Sequence, residues 1–89
     1  MFVIANMKAC FSSAEFGTAF RAERIVLGKT MQWVAEKVGC RRQTISDLEA
    51  GKNVGIYTVF AALAALDKGL SIVDSRIELE RLKELLDED

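Results

Sequence analysis

Two pairs of polar side chains, one helical turn apart, carry the most chemistry in this sequence. Arg42 and Gln43 are followed at i+4 by Ser46 and Asp47, while Ile45 and Leu48 fall where a helix would turn them inward. An arginine fork matches guanine O6 and N7, a glutamine amide matches adenine N6 and N7, and an aspartate can accept from cytosine N4. A helix of this composition can therefore discriminate base edges. Arg41 stands before it, and Lys52 with Asn53 forms a polar loop after it that suits phosphate contact. Catalysis has less to stand on. The chain holds no histidine, Cys10 and Cys40 are far apart with no CxxC, and no glycine-rich loop could cradle a phosphate. No enzyme, metal site or cofactor is expected, and the cysteines read as free small residues.

These side chains need a frame, and residues 30–51 supply the pattern of one. Thr30 can cap a first helix whose apolar face is Val34, Ala35 and Val38, and Gly39 supplies a left-handed end. A turn follows at once. From about Arg42 a second helix runs toward Gly51. Two amphipathic helices around a glycine turn also occur in ordinary helical bundles, so the pattern alone gives the architecture and not the use.

The spelling of the second half is more specific. Thr-x-x-x-Val-Ala-x-x-x-Gly, followed by Ile-Ser-x-Leu-Glu-x-Gly, resembles the Cro and phage-repressor class of helix-turn-helix domains, the Xre family, over roughly residues 14–72. The resemblance implies an all-α, lambda-repressor-like domain of four to five helices that binds an operator in double-stranded DNA as a dimer. It implies base-facing roles for Arg42, Gln43, Ser46 and Asp47, with Asp47 alternatively balancing Arg42 or repelling wrong sites. Thr30, Gln32, Arg41, Thr44, Lys52 and Asn53 are the implied phosphate contacts. It also implies that Arg24 pairs with Glu49, a plausible tie because an arginine fork grips a carboxylate with two hydrogen bonds. Two departures stand out. The family's usual glutamine after the threonine is replaced by Met31, with Gln32 one place later, so Gln32 substitutes only if the helix start shifts; and the usual proline after Gly51 is missing.

Composition bounds the rest. At 89 residues the chain is one domain, and a domain of this size hides only about 60 to 65% of its unfolded surface. With 51% hydrophobic residues, some apolar surface is expected between subunits, so a homodimer is the natural state. No stretch is long and apolar enough for a membrane span or reads as a secretory leader, which places the chain in the cytoplasm. The net charge of -1 is unevenly divided: residues 1–73 carry nine basic and six acidic side chains, residues 74–89 three and seven. The acid sits in the tail, leaving a mildly basic body for phosphate.

In chain order, residues 1–11 form an apolar arm or a short strand, and Ser12 with Glu15 makes a capping box for a first helix to about Leu27. Its inward face would be Phe16, Ala19, Phe20 and Leu27. Trp33 is expected to pack on the core, with its indole N–H free for a phosphate or carbonyl. Residues 56–66 put Val59, Phe60, Leu63 and Leu66 on one stripe of a core helix that Gly69 would end. The helix-turn-helix domain thus spans 12–69. Within 70–89, a β-branched run near 70–75 predicts a short strand, and IELERLKELLDED an acidic amphipathic helix. The tail either caps the dimer, binds a partner's basic surface or is solvated. The order of four helices and a strand is similar to the HipB-type antitoxins. That likeness implies strand pairing across a dimer through Leu70, Ile72 and Val73, and a kinase-like HipA-type toxin as a partner. A stand-alone Xre or phage-type repressor fits the same pattern, and so does an interaction module that keeps the fold without reading DNA.

Overall fold

A computed structural model describes residues 9–74 and Leu86. Among them the chain forms α1 (Ser13–Val26), α2 (Met31–Val38), α3 (Arg42–Glu49) and α4 (Ile56–Ala65), and no strand. Each boundary has a local cause. The Ser12 hydroxyl accepts from the Glu15 N–H at 3.1 Å, and the Glu15 carboxylate accepts from the Phe11 N–H at 2.8 Å, one residue before the donor of a standard capping box. Thr30 caps α2 by accepting from the Trp33 N–H at 3.0 Å. Gly39, with φ of 85°, ends α2 in the left-handed region, its N–H donating to the Ala35 carbonyl at 2.8 Å. Only three residues then separate α2 from α3.

The core is small and shared by all four helices. Phe20 comes from α1, Val34 and Ala35 from α2, Ile45 and Leu48 from α3, Ala62 and Leu63 from α4, and Leu66 from its cap. Val34, Ala35, Ile45 and Ala62 have no exposed surface. Around them Phe16, Met31, Trp33, Val38, Cys40, Val54 and Val59 are partly buried. On a transfer scale, each large aliphatic side chain buried here contributes about 1.5 to 3 kcal/mol.

Several expectations need correction. Ala19 and Leu27 face solvent; the α1 position that is buried instead is Gly17. Phe60 is half exposed while Leu63 and Leu66 are buried, so the inward stripe of α4 is narrower than expected. Gly69 does not end α4. Asp67 does, by taking a left-handed φ of 60° while the Lys68 N–H returns to the Leu63 carbonyl at 2.8 Å. The strand near 70–75 is absent among the described residues: 70–74 have no regular structure, since a strand needs a second strand to complete its ladder. Residues 1–8 of the arm and all of the acidic tail helix except Leu86 lie outside the described residues.

Gly17 marks the closest approach between α1 and α3. A Cβ there would stand 2.6 Å from the Leu48 carbonyl oxygen and closer still to that of Glu49, both backbone atoms that cannot swing away. Alanine normally favours a helix by about 1 kcal/mol over glycine. Here Gly17→Ala is expected to destabilise by about 1 to 3 kcal/mol, because α1 must lift off the end of α3. Urea denaturation checks this, and a midpoint that rises would rule out the close approach.

Candidate nucleic-acid interface

The reading face is held from its far side. Ile45 and Leu48 lock α3 into the core, and Glu49 at its last turn is gripped by Arg24 of α1. The Arg24 Nε donates to Glu49 Oε2 at 2.6 Å and Nη2 donates to Oε1 at 3.1 Å. The third arm of the guanidinium, Nη1, donates to the Lys29 carbonyl at 2.8 Å. One side chain thus joins α1, the α1–α2 turn and α3. Both partners are nearly enclosed, with side-chain exposures of 9% and 5%, whereas Arg21 approaches the same carboxylate at 3.9 Å from a largely exposed position.

With its inner face anchored, α3 leaves Arg42 and Gln43 exposed, and Thr44, Ser46 and Asp47 are half-buried. Arg41 occupies the N-cap without a side-chain capping bond, so its guanidinium and the positive end of α3 are presented together, an arrangement that favours an anion. The Asp47 carboxylate is engaged. Gln43 Nε2 donates to Asp47 Oδ1 at 2.9 Å, and Lys52 Nζ lies 4.0 Å from the same oxygen. The Lys52 N–H also donates to the Asp47 carbonyl at 2.9 Å, which fixes the start of the loop to the end of the helix. Asp47 balances Lys52, then, and no contact with Arg42 is formed.

The remaining predicted contacts fall into two groups. Lys52, Asn53 and Arg41 are exposed. Thr30 accepts from Trp33 and keeps its hydroxyl proton to donate outward. Gln32 is different: Thr30 remains the cap, the helix start does not shift, Met31 packs on the core, and the Gln32 amide donates to Glu36 Oε2 at 3.0 Å. Leu70, Ile72 and Val73 are exposed, with Ile72 wholly so.

Two features were missed by reading the sequence. Lys29 and Lys37 place their ammonium groups 4.4 and 5.4 Å from the Trp33 ring centroid, so the tryptophan is packed on the core on one side and flanked by cations on the other. The Lys-x-x-x-Trp-x-x-x-Lys spacing was the available signal. The other is the Ser13 hydroxyl, which donates to the Gly51 carbonyl at 2.9 Å and ties the start of α1 to the end of the helix-turn-helix; nothing in the local sequence announces it.

A family model described as Helix-turn-helix (HTH_3) matches residues 20–73, more than half of the chain. This chain belongs to that helix-turn-helix family. Among solved structures it is similar to a HipB variant in an O2 20mer complex, at 25% identity and a TM-score of 0.74, over 80% of this chain and all of that one. It is similar as well to a HipA-HipB-O2-O3 complex and a HipB-O4 20mer complex, each at 25% identity and a TM-score of 0.73, over 79% of this chain and all of the matched chain. Comparison with curated proteins gives no match. No helix among the described residues is long and apolar enough to cross a membrane.

The grip on Glu49 gives a clean contrast. Glu49→Ala is expected to cost about 3 to 5 kcal/mol, since it leaves the Arg24 guanidinium enclosed without its counter-charge. Arg21→Ala should change stability by less than about 1 kcal/mol, as exposed pairs do. Chemical denaturation of both variants checks the difference, and equal effects would show that the enclosed fork carries no special weight.

Proposed function

We propose that this chain is a dimeric, sequence-specific DNA-binding repressor of the cytoplasm, with one α3 per subunit entering successive major grooves of a palindromic operator. The observation that carries this reading is the helix-turn-helix itself: α3 is fixed from behind by Ile45, Leu48 and the Arg24–Glu49 fork while Arg42 and Gln43 point outward. Arg42, Gln43 and Ser46 address base edges, with Asp47 beside them. Arg41, Thr30, Thr44, Lys52 and Asn53 address phosphates, and Gln32, already bonded along α2, is left out. No catalytic role is proposed.

HipB in complexes with 20mers, and with HipA, supports a narrower setting in which this chain is a HipB-like antitoxin that represses its own toxin–antitoxin operon and binds a HipA-like kinase toxin. The dimer is proposed to form through residues 70–73, where Leu70, Ile72 and Val73 expose apolar surface. Two subunits joined there would set half-sites about one helical turn, roughly 34 Å, apart or a multiple of it.

Two measurements test the proposal. In selection of duplexes from a random library at two salt concentrations, Arg42→Ala should lose preference at one base position by about 1 to 3 kcal/mol. Lys52→Ala should weaken all sequences alike and reduce the salt slope. Sequence-blind losses from both variants would refute the assignment of readers. For the dimer, Ile72→Asp should sediment as a monomer at concentrations where the parent chain is a dimer; an unchanged sedimentation coefficient would rule out a dimer contact through residues 70–73.

A further inference from the structure

We propose that Asp47 is a positioning residue, which sets how Gln43 meets a base, and does not itself read one. The inference rests on the DNA-reading proposal above. Gln43 is exposed, and its Nε2 lies 2.9 Å from Asp47 Oδ1, one turn along α3. A carboxylate can only accept, so the amide nitrogen must be the atom that faces it. The orientation of the amide is therefore decided by Asp47. An exposed glutamine without such a partner is free to turn its amide by half a rotation, exchanging donor and acceptor, and the exchanged amide presents the wrong pattern to a given base edge. Held as it is, Gln43 uses one amide hydrogen on Asp47 and keeps the other hydrogen and Oε1 for a base. One donor beside one acceptor is what adenine N7 and N6 require.

Lys52 makes an acidic group tolerable in this place. Its ammonium stands 4.0 Å from the same Oδ1, and its backbone N–H is bonded to the Asp47 carbonyl at 2.9 Å, so the cation is delivered to the carboxylate by the helix end itself. A bare carboxylate on a DNA-facing surface would repel phosphates. Neutralised locally by Lys52, it can serve Gln43 at little electrostatic penalty. The three side chains form one row: Gln43 for the base, Asp47 to orient it, Lys52 to offset the charge.

The test is duplex selection with the parent chain, Gln43→Ala, Asp47→Ala, Asp47→Glu and the Gln43→Ala/Asp47→Ala double variant. Asp47→Ala should lower preference by about fivefold or more at the base position that Gln43→Ala also affects, while affinity for all sequences rises as negative charge is removed. Asp47→Glu keeps a group that can only accept and should keep the preference. In the Gln43→Ala background, Asp47→Ala should change base preference no further. Loss at a different base position, additive with Gln43→Ala, would mean that Asp47 reads its own base and would overturn the inference. A second readout needs no DNA: nitrogen relaxation of the Gln43 side-chain amide should report restricted motion in the parent chain and in Asp47→Glu, and free motion in Asp47→Ala. Equal mobility in all three would overturn the inference while leaving a base-reading chain standing. A parent chain that enriches no sequence would overturn both proposals.

Discussion

The fork of Arg24 on Glu49 is the contact on which the arrangement of this domain depends. Four short helices of 8 to 14 residues could pack around so small a core in more than one way, because apolar contacts are non-directional. The fork is directional. With three of its donors placed on two oxygens of Glu49 and one carbonyl of the α1–α2 turn, the guanidinium fixes the end of α3 against α1 and fixes where α2 begins. Charge burial of this kind is weak evidence for net stability, since a well-packed apolar substitute could do as well. Its contribution here is geometric. It orients α3 about its own axis, and that rotation decides which side chains are outside.

Gly17 and Gly51 extend the same constraint to the backbone. α1 lies so near the last turn of α3 that a side-chain carbon at Gly17 would meet the carbonyls of Leu48 and Glu49, and a Cβ at Gly51 would stand 2.7 Å from the Ala14 Cα. Gly51 also has a φ of 80°, which an L side chain rarely adopts. The short separation lets Arg24 reach Glu49 without being stretched into solvent. Small residues and a long one therefore cooperate: the glycines bring the helices together, and the arginine then reaches the enclosed carboxylate.

Much of this frame was legible in the sequence because its signals are local. Thr30, Gly39 and the Ile45/Leu48 spacing each act within one helical turn, and the elements they predict are present with boundaries shifted by a residue or two. Arg24 and Glu49, 25 residues apart, were named together only through the resemblance of the whole pattern to a known class, and the structure brings them into contact. What was not legible is mostly non-local. Ala19 fits the helical period yet faces solvent, because the close packing at Gly17 turns α1 so that a glycine takes the inner position, and Leu27 is exposed at the C-cap beyond the end of α1. Asp67 was passed over as a helix end in favour of Gly69, since its left-handed turn depends on the bond from Lys68 back to Leu63. A strand at 70–75 was a fair reading of β-branched residues, but a strand is a property of two segments, and composition describes one.

The outer face of α3 follows from how completely its inner face is occupied. Ile45 and Leu48 are at 0% and 3% exposure and Glu49 is bound, so the fold places no further demand on the exposed Arg42 and Gln43. Substitutions at those two positions remove no buried contact and no cap, and surface changes of that sort are usually worth less than about 0.5 kcal/mol. A helix built in this way can exchange its outward residues at almost no penalty in stability. Asp47 is the exception on that face. Bonded to Gln43 and close to Lys52, it is coupled to those two neighbours. A change at Asp47 should consequently be tolerated more readily together with changes at Gln43 and Lys52 than alone, since altering Asp47 leaves the Gln43 amide without its acceptor and the Lys52 charge without its partner.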